Sequence, residues 1–199
     1  MSGMNPDALS DLVLLLVCAT VAWRDLRTRP AIAVGAGLIG LAALLGVLRF
    51  SGVAMVYGPH RFFSLLAACV AFTLLAAGLR WPDAAIARRA AAVGRCVVVV
   101  GGVGVALTVM GVGLWSQIVP GLSALVIVWT ALQQRRALAI VGALLLVGSF
   151  AVAATGKPGT LYLDYFNSTQ ALHYLLAAGI ALLALPRLSA QADASAPPA

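Results

Sequence analysis

The chain has no glutamate and a single lysine, Lys157, and charged residues of all kinds fill only 10% of its 199 positions. Soluble domains carry about a quarter charged and about half apolar residues, whereas here 62% are hydrophobic and the mean hydropathy is +1.03. A water-soluble globule of this length leaves much of its area exposed, so this composition excludes one. The solvent around the chain must itself be apolar, which points to a bilayer. Cysteine is scarce as well. Cys18, Cys69 and Cys96 are odd in number and each lies in an apolar run, which argues against a disulfide framework and for small buried hydrophobes. The first eleven residues hold no basic cluster, and no small-residue cleavage site follows the first apolar stretch, so no removable signal peptide is expected.

What the chain does have is arginine between long apolar runs. The net charge of +7 would suit nucleic acid if it formed one stripe, but the arginines fall in short clusters at the ends of apolar segments. They read as topology markers, and no nucleic-acid partner is expected. The dominance of Ala, Gly, Leu and Val suggests a GC-rich bacterial gene, hence a multi-pass protein of a bacterial inner membrane with membrane lipids as its partners.

A crossing helix needs about 20 mostly apolar residues at 1.5 Å rise each. Seven segments meet or approach this, about 6–23, 30–48, 62–79, 96–114, 117–132, 137–154 and 167–185. The expected fold is therefore all-α, a polytopic seven-transmembrane helix bundle forming one domain over residues 1–187, with 188–199 as a disordered cytoplasmic tail. Asn5 is placed to cap the first helix, Pro6 to start it and Asp7 to favour its dipole. Seven crossings put Arg24, Arg27, Arg29, Arg80, Arg88, Arg89, Arg95, Arg135, Arg136 and Arg187 on one side, and Arg49, Arg61 and Lys157 on the other. By the positive-inside rule the N-terminus lies outside and the C-terminus in the cytoplasm. Fusing the fifth and sixth segments across Arg135 and Arg136 would spoil that asymmetry. Residues 81–95 read as a short interfacial helix begun by Pro82, or else as a basic loop. Small residues at Ala33, Gly37 and Gly40, and at Gly101, Gly102 and Gly104, mark faces where helices approach closely.

Polar residues inside a bilayer are costly, so their positions point to function. They gather toward the outer side: Arg49 and Ser51 after the second span, His60 and Arg61 before the third, Trp115, Ser116 and Gln117 before the fifth, and Asp164 to His173 at the seventh. Asn167, Gln170 and His173 are spaced by three and share one helical face, which should look into the bundle. In the plainest reading His173 is a neutral histidine satisfied by Gln170 or Thr169, Asp164 caps the last helix, and His60 with Arg61 anchors a turn. In the functional one, Arg49, His60, Arg61, Asn167, Gln170 and His173 line a ligand pocket.

The stretches LLGVLRFS (Leu44 to Ser51), GPHRFF (Gly58 to Phe63) and DYFNSTQALHY (Asp164 to Tyr174), on a seven-span pattern, resemble bacterial ceramidase-like relatives of the alkaline ceramidase and progestin and adiponectin receptor superfamily. That resemblance implies a zinc ion held by three histidines, with a nearby Ser and Asp, whose bound water attacks an amide. Ser51 stands for the serine, His60 for the histidine after it, and His173 for the second member of an HxxxH pair whose first place holds Thr169. With two histidines in the chain, the implied metal set shrinks to His60, Asp164 and His173, and the catalytic candidates are Ser51 and Asp164. Two classes of function follow: an outward-facing pocket that binds a lipid or small hydrophobic ligand, and a metal-dependent hydrolase of a lipid amide or ester. A transporter or accessory subunit is a third, without the broken paired helices that would favour transport.

Overall fold

The structure, a computed structural model, describes residues 5–156, 161–162 and 165–195. Among the described residues the chain is all-α apart from one small hairpin. Helix α1 is Pro6–Asp25, α2 Pro30–Phe50, α3 Tyr57–Arg80, α4 Ala85–Arg88, α5 Ala90–Cys96, α6 Gly102–Val109, α7 Trp115–Gln134, α8 Ala137–Thr155 and α9 Ser168–Ser195. A 3₁₀ turn, Ala54–Val56, leads into α3, and a π-helical turn, Val97–Gly101, joins α5 to α6. Among the described residues six helical stretches are long and apolar enough to cross a membrane: Pro6–Asp25, Pro30–Phe50, Ala54–Arg80, Ala90–Val109, Trp115–Gln134 and Ala137–Thr155. The chain is thus a multi-pass helical membrane protein. A shorter apolar stretch, Ser168–Ala184, opens α9.

Local chemistry sets these boundaries. The Asn5 side chain accepts from the Asp7 backbone N–H at 2.9 Å, and Pro6 occupies the first helical turn, as the sequence leads one to expect. Pro30 starts α2 in the same way. Between α7 and α8 the chain reverses at Arg135, whose φ of 53° lies in the left-handed region, so the fifth and sixth apolar segments are separate helices.

The helices close into a ring. α1 packs on α2, α2 on α3, α3 on α7, α7 on α8, α8 on α9, and α9 back on α1, while the α5–α6 stretch lies outside the ring against α2, α3 and α7. α1 and α9 run parallel. Ser10 meets His173 at one end, and at the other the Arg24 guanidinium donates to the Ala184 carbonyl at 3.3 Å while pairing with Asp25 at 2.8 Å. Small residues allow the close approaches. A Cβ on Gly142 would fall 2.8 Å from the Gly179 carbonyl oxygen, and one on Gly179 would fall 2.9 Å from the Gly142 carbonyl oxygen, so the α8 and α9 backbones touch.

Several expectations shift. The fourth apolar helix begins at Ala90 rather than near Cys96 and ends at Val109 rather than Leu114, where Gly111 at φ 88° turns the chain. The interfacial helix expected over 81–95 is broken: α4 has four residues, Arg89 is extended, and Ala87 and Val93 are buried with Ala31, Val70 and Leu74. Apolar burial against α2 and α3 outweighs a flat position at the surface. Gly40, Gly101 and Gly104 have close neighbours across a helix contact, but Gly37 and Gly102 face open space. The last helix, expected to end at Leu185, has the bounds Ser168–Ser195. A two-residue hairpin, Leu161–Tyr162 with Phe166–Asn167, precedes α9 and was not foreseen.

If the α8–α9 contact is as tight as this, Gly142→Ala and Gly179→Ala should each destabilise by about 1–3 kcal/mol through overpacking. Gly37→Ala and Gly102→Ala, facing open space, should be neutral or slightly stabilising. Thermal unfolding of the purified protein in detergent separates the two groups, and equal behaviour of all four variants would contradict the packing.

Candidate functional site

The N-terminal turns of α1 and α9 meet along a polar seam. Asp7 accepts at Oδ1 from the Gln170 side-chain amide at 2.7 Å and from the Asn167 amide at 2.8 Å. One turn further in, His173 Nδ1 lies 3.1 Å from Ser10 Oγ and 3.3 Å from Asp11 Oδ1. Asp7 and Asp11 are four apart and Asn167, Gln170 and His173 three apart, so two helical repeats in register face each other. Ser10 and Asp11 are buried, at 0% and 1% exposure. The remaining Asp11 oxygen, Oδ2, has no hydrogen-bond partner. It sits against Gly46 of α2, where an added Cβ would overlap the carboxylate and lie 2.6 Å from its Cγ. Gly46 is the residue that lets a carboxyl group fit between α1 and α2.

Partners of one-way chemistry fix the proton on each histidine. Ser10 Oγ donates to the Asp7 carbonyl oxygen at 2.8 Å, so toward His173 it accepts, and the ring proton is on Nδ1. In the neutral ring Nε2 is then a bare acceptor, with no partner among the described residues. At His60 the order is reversed. Arg49 Nη1 lies 3.2 Å from His60 Nδ1, and a guanidinium only donates, so that nitrogen accepts and the proton is on Nε2, 3.5 Å from Ser64 Oγ. Arg49 is held in turn over the rings of Tyr57 and Phe50, at 4.7 and 5.1 Å from their centroids.

Both histidines line one cavity of about 410 Å³ inside the helix ring. That size lies in the range of about 300–1,000 Å³ usual for small-molecule pockets. Asp11, Ser64, Ser116 and Gln117 add polar groups, and Leu14, Ile39, Phe72, Phe150, Leu172 and Leu176 supply apolar wall. On α3 the lining runs from His60 to Phe72, about 18 Å along the axis at 1.5 Å per residue. The cavity is therefore elongated, polar toward the ends of the helices and apolar at its floor, where Phe72 and Phe150 meet edge to face at 4.7 Å.

The structure brings His60 and His173 together in this cavity and sets Asn167 and Gln170 in the seam behind it. Arg49 acts through His60 and does not itself line the cavity. Arg61 and Ser51 are exposed and lie outside it, and Asp164 falls outside the described residues. His173 is satisfied by Ser10 and Asp11 of another helix, not by Gln170 or Thr169 as the plainest reading had it. Asp11 is the residue that reading the sequence missed. A carboxylate followed by an unbroken apolar run, one turn after Asp7, is the signal that could have found it.

Of the metal set implied by the resemblance, His60 and His173 line the cavity and Asp164 lies outside the described residues. Among the described residues no three His, Cys, Asp or Glu side chains gather closely enough to hold a metal ion. Arg49 also takes the Nδ1 lone pair of His60, which leaves a proton on the nitrogen that a metal would need.

Imidazole ¹⁵N NMR of the protein in nanodiscs should find the two rings as opposite tautomers, His173 protonated at Nδ1 and His60 at Nε2. Arg49→Leu should release His60 alone, and Gly46→Ala should disturb His173 alone by pushing on Asp11. Identical tautomers in the wild-type protein would contradict the assignment.

Comparison of the chain with protein-family models, with curated proteins and with solved structures finds no match.

Proposed function

We propose that this protein is a seven-span membrane protein that holds an amphipathic molecule, a lipid or small hydrophobic ligand, inside its helix ring. The ligand's polar head lies by His60 and His173 and its apolar part on the floor. The observation that carries the reading is the elongated cavity of about 410 Å³, with both histidines of the chain at its polar end and Phe72, Phe150 and Leu176 farther in. A solvated active-site cleft would not need an apolar floor of this depth, and a simple packing core would not hold two tautomer-fixed histidines against open space.

Two observations support seven crossings with the cavity facing outward. Parallel neighbours α1 and α9 fit an odd number of crossings, with α9 as the last. The described arginines at the Asp25, Arg80 and Gln134 ends of their helices outnumber Arg49 and Arg61 at the cavity end, and by the positive-inside rule this favours the cavity end as the outer one.

Native mass spectrometry of the protein released from its own membrane should find a bound amphiphile. Ala68→Trp, which places an indole in the cavity, should remove it, whereas Leu122→Trp on the exposed face of α7 should leave it in place. An adduct unchanged in Ala68→Trp would contradict the reading. Reporter fusions should place residue 135 in the cytoplasm and residue 52 outside, and the opposite result would invert the cavity.

A further inference from the structure

We infer that the cavity selects an uncharged hydroxyl head, as in a long-chain primary alcohol or a monoacyl polyol, over a carboxylate or a quaternary ammonium head. The inference rests on the pocket reading above and narrows it. The two histidines offer complementary groups. His173 Nε2 is an acceptor because its Nδ1 proton is committed to Ser10 and Asp11, and His60 Nε2 is a donor because Arg49 occupies its Nδ1. A hydroxyl head suits both: an O–H can donate to His173 Nε2, and a hydroxyl oxygen can accept from His60 Nε2–H, which otherwise reaches only Ser64 Oγ at 3.5 Å.

The alternatives leave one group unmet. A carboxylate has no proton to donate, so its negative charge would face the His173 lone pair with the Asp11 carboxyl behind it. It would also lack a cation, since neither Arg49 nor Arg61 lines the cavity. A quaternary ammonium neither donates nor accepts, and would leave the His173 Nε2 lone pair without a donor. Stranding one buried polar group typically costs about 1–3 kcal/mol, or about tenfold or more in affinity. Ser64, Ser116 and Gln117 near the same end offer further neutral partners to a polyol, and the carboxyl in the lining, Asp11, is engaged with His173.

The test uses the full-length protein in nanodiscs, titrated separately with 1-dodecanol, dodecanoate and dodecyltrimethylammonium, with adducts counted by native mass spectrometry and Ala68→Trp as the control for partition into lipid. The expected result is that dodecanol binds at least tenfold more tightly than either ion, and that His173→Phe reduces its binding at least tenfold. His60→Leu, at a half-buried position, should do the same and serves if the His173 variant fails to fold. Equal binding of all three probes, abolished by Ala68→Trp, would overturn the hydroxyl preference and leave the pocket standing. Binding that Ala68→Trp does not change for any probe would overturn both.

Discussion

The first turns of α1 and α9 are held together by hydrogen bonds to Asp7 and, one turn deeper, by His173 between Ser10 and Asp11. In a bilayer, apolar surface gains little by leaving lipid for another helix, so association depends on close packing and interhelical hydrogen bonds, the latter worth about 0.6–2 kcal/mol each. This seam joins the first and last helices of the ring, which no short connection ties together. Without it α9 keeps its close contact with α8 but loses its register against α1. The Arg24 bond to the Ala184 carbonyl fastens the same pair at the opposite end.

Closing the ring creates an interior, and the seam determines what that interior presents. The hydroxyl of Ser10 is directed to a backbone carbonyl, so His173 must give its Nδ1 proton to the seam and leave Nε2 bare. Arg49, held over the rings of Tyr57 and Phe50, imposes the opposite tautomer on His60. The same contacts that assemble the bundle therefore set the polarity of the cavity, one acceptor beside one donor above an apolar floor. Gly46 is part of this arrangement, because only a residue without Cβ leaves room for the Asp11 carboxyl.

Much of the helical architecture could be read from the chain alone, because bilayer thickness converts directly into a length of apolar sequence. The six long apolar helices and the break at Arg135 and Arg136 follow from that rule. The shared face of Asn167, Gln170 and His173, and the neighbourhood of Arg49 and His60, followed from helical spacing and chain adjacency. The partner of that face did not. Asp7 reads as a favourable charge at a helix start and Asp11 as the edge of the first apolar run, and nothing in local sequence says that the first helix packs on the last. Closure between segments about 160 residues apart is a tertiary fact. The start of the α5 helix differs for a related reason, since Arg95 interrupts the apolar run and the helix extends back through it to Ala90, with Val93 buried against Ala31, Val70 and Leu74.

The seam is tested most directly by a double-mutant cycle between Asp7→Leu and Gln170→Leu, with unfolding free energies measured in one detergent system. A direct charge-assisted bond predicts a coupling of about 0.5–3 kcal/mol, the double variant losing less stability than the two single losses together. Additive losses, with no coupling, would mean that α1 and α9 do not meet through these residues, and the cavity built on their contact would fall with them.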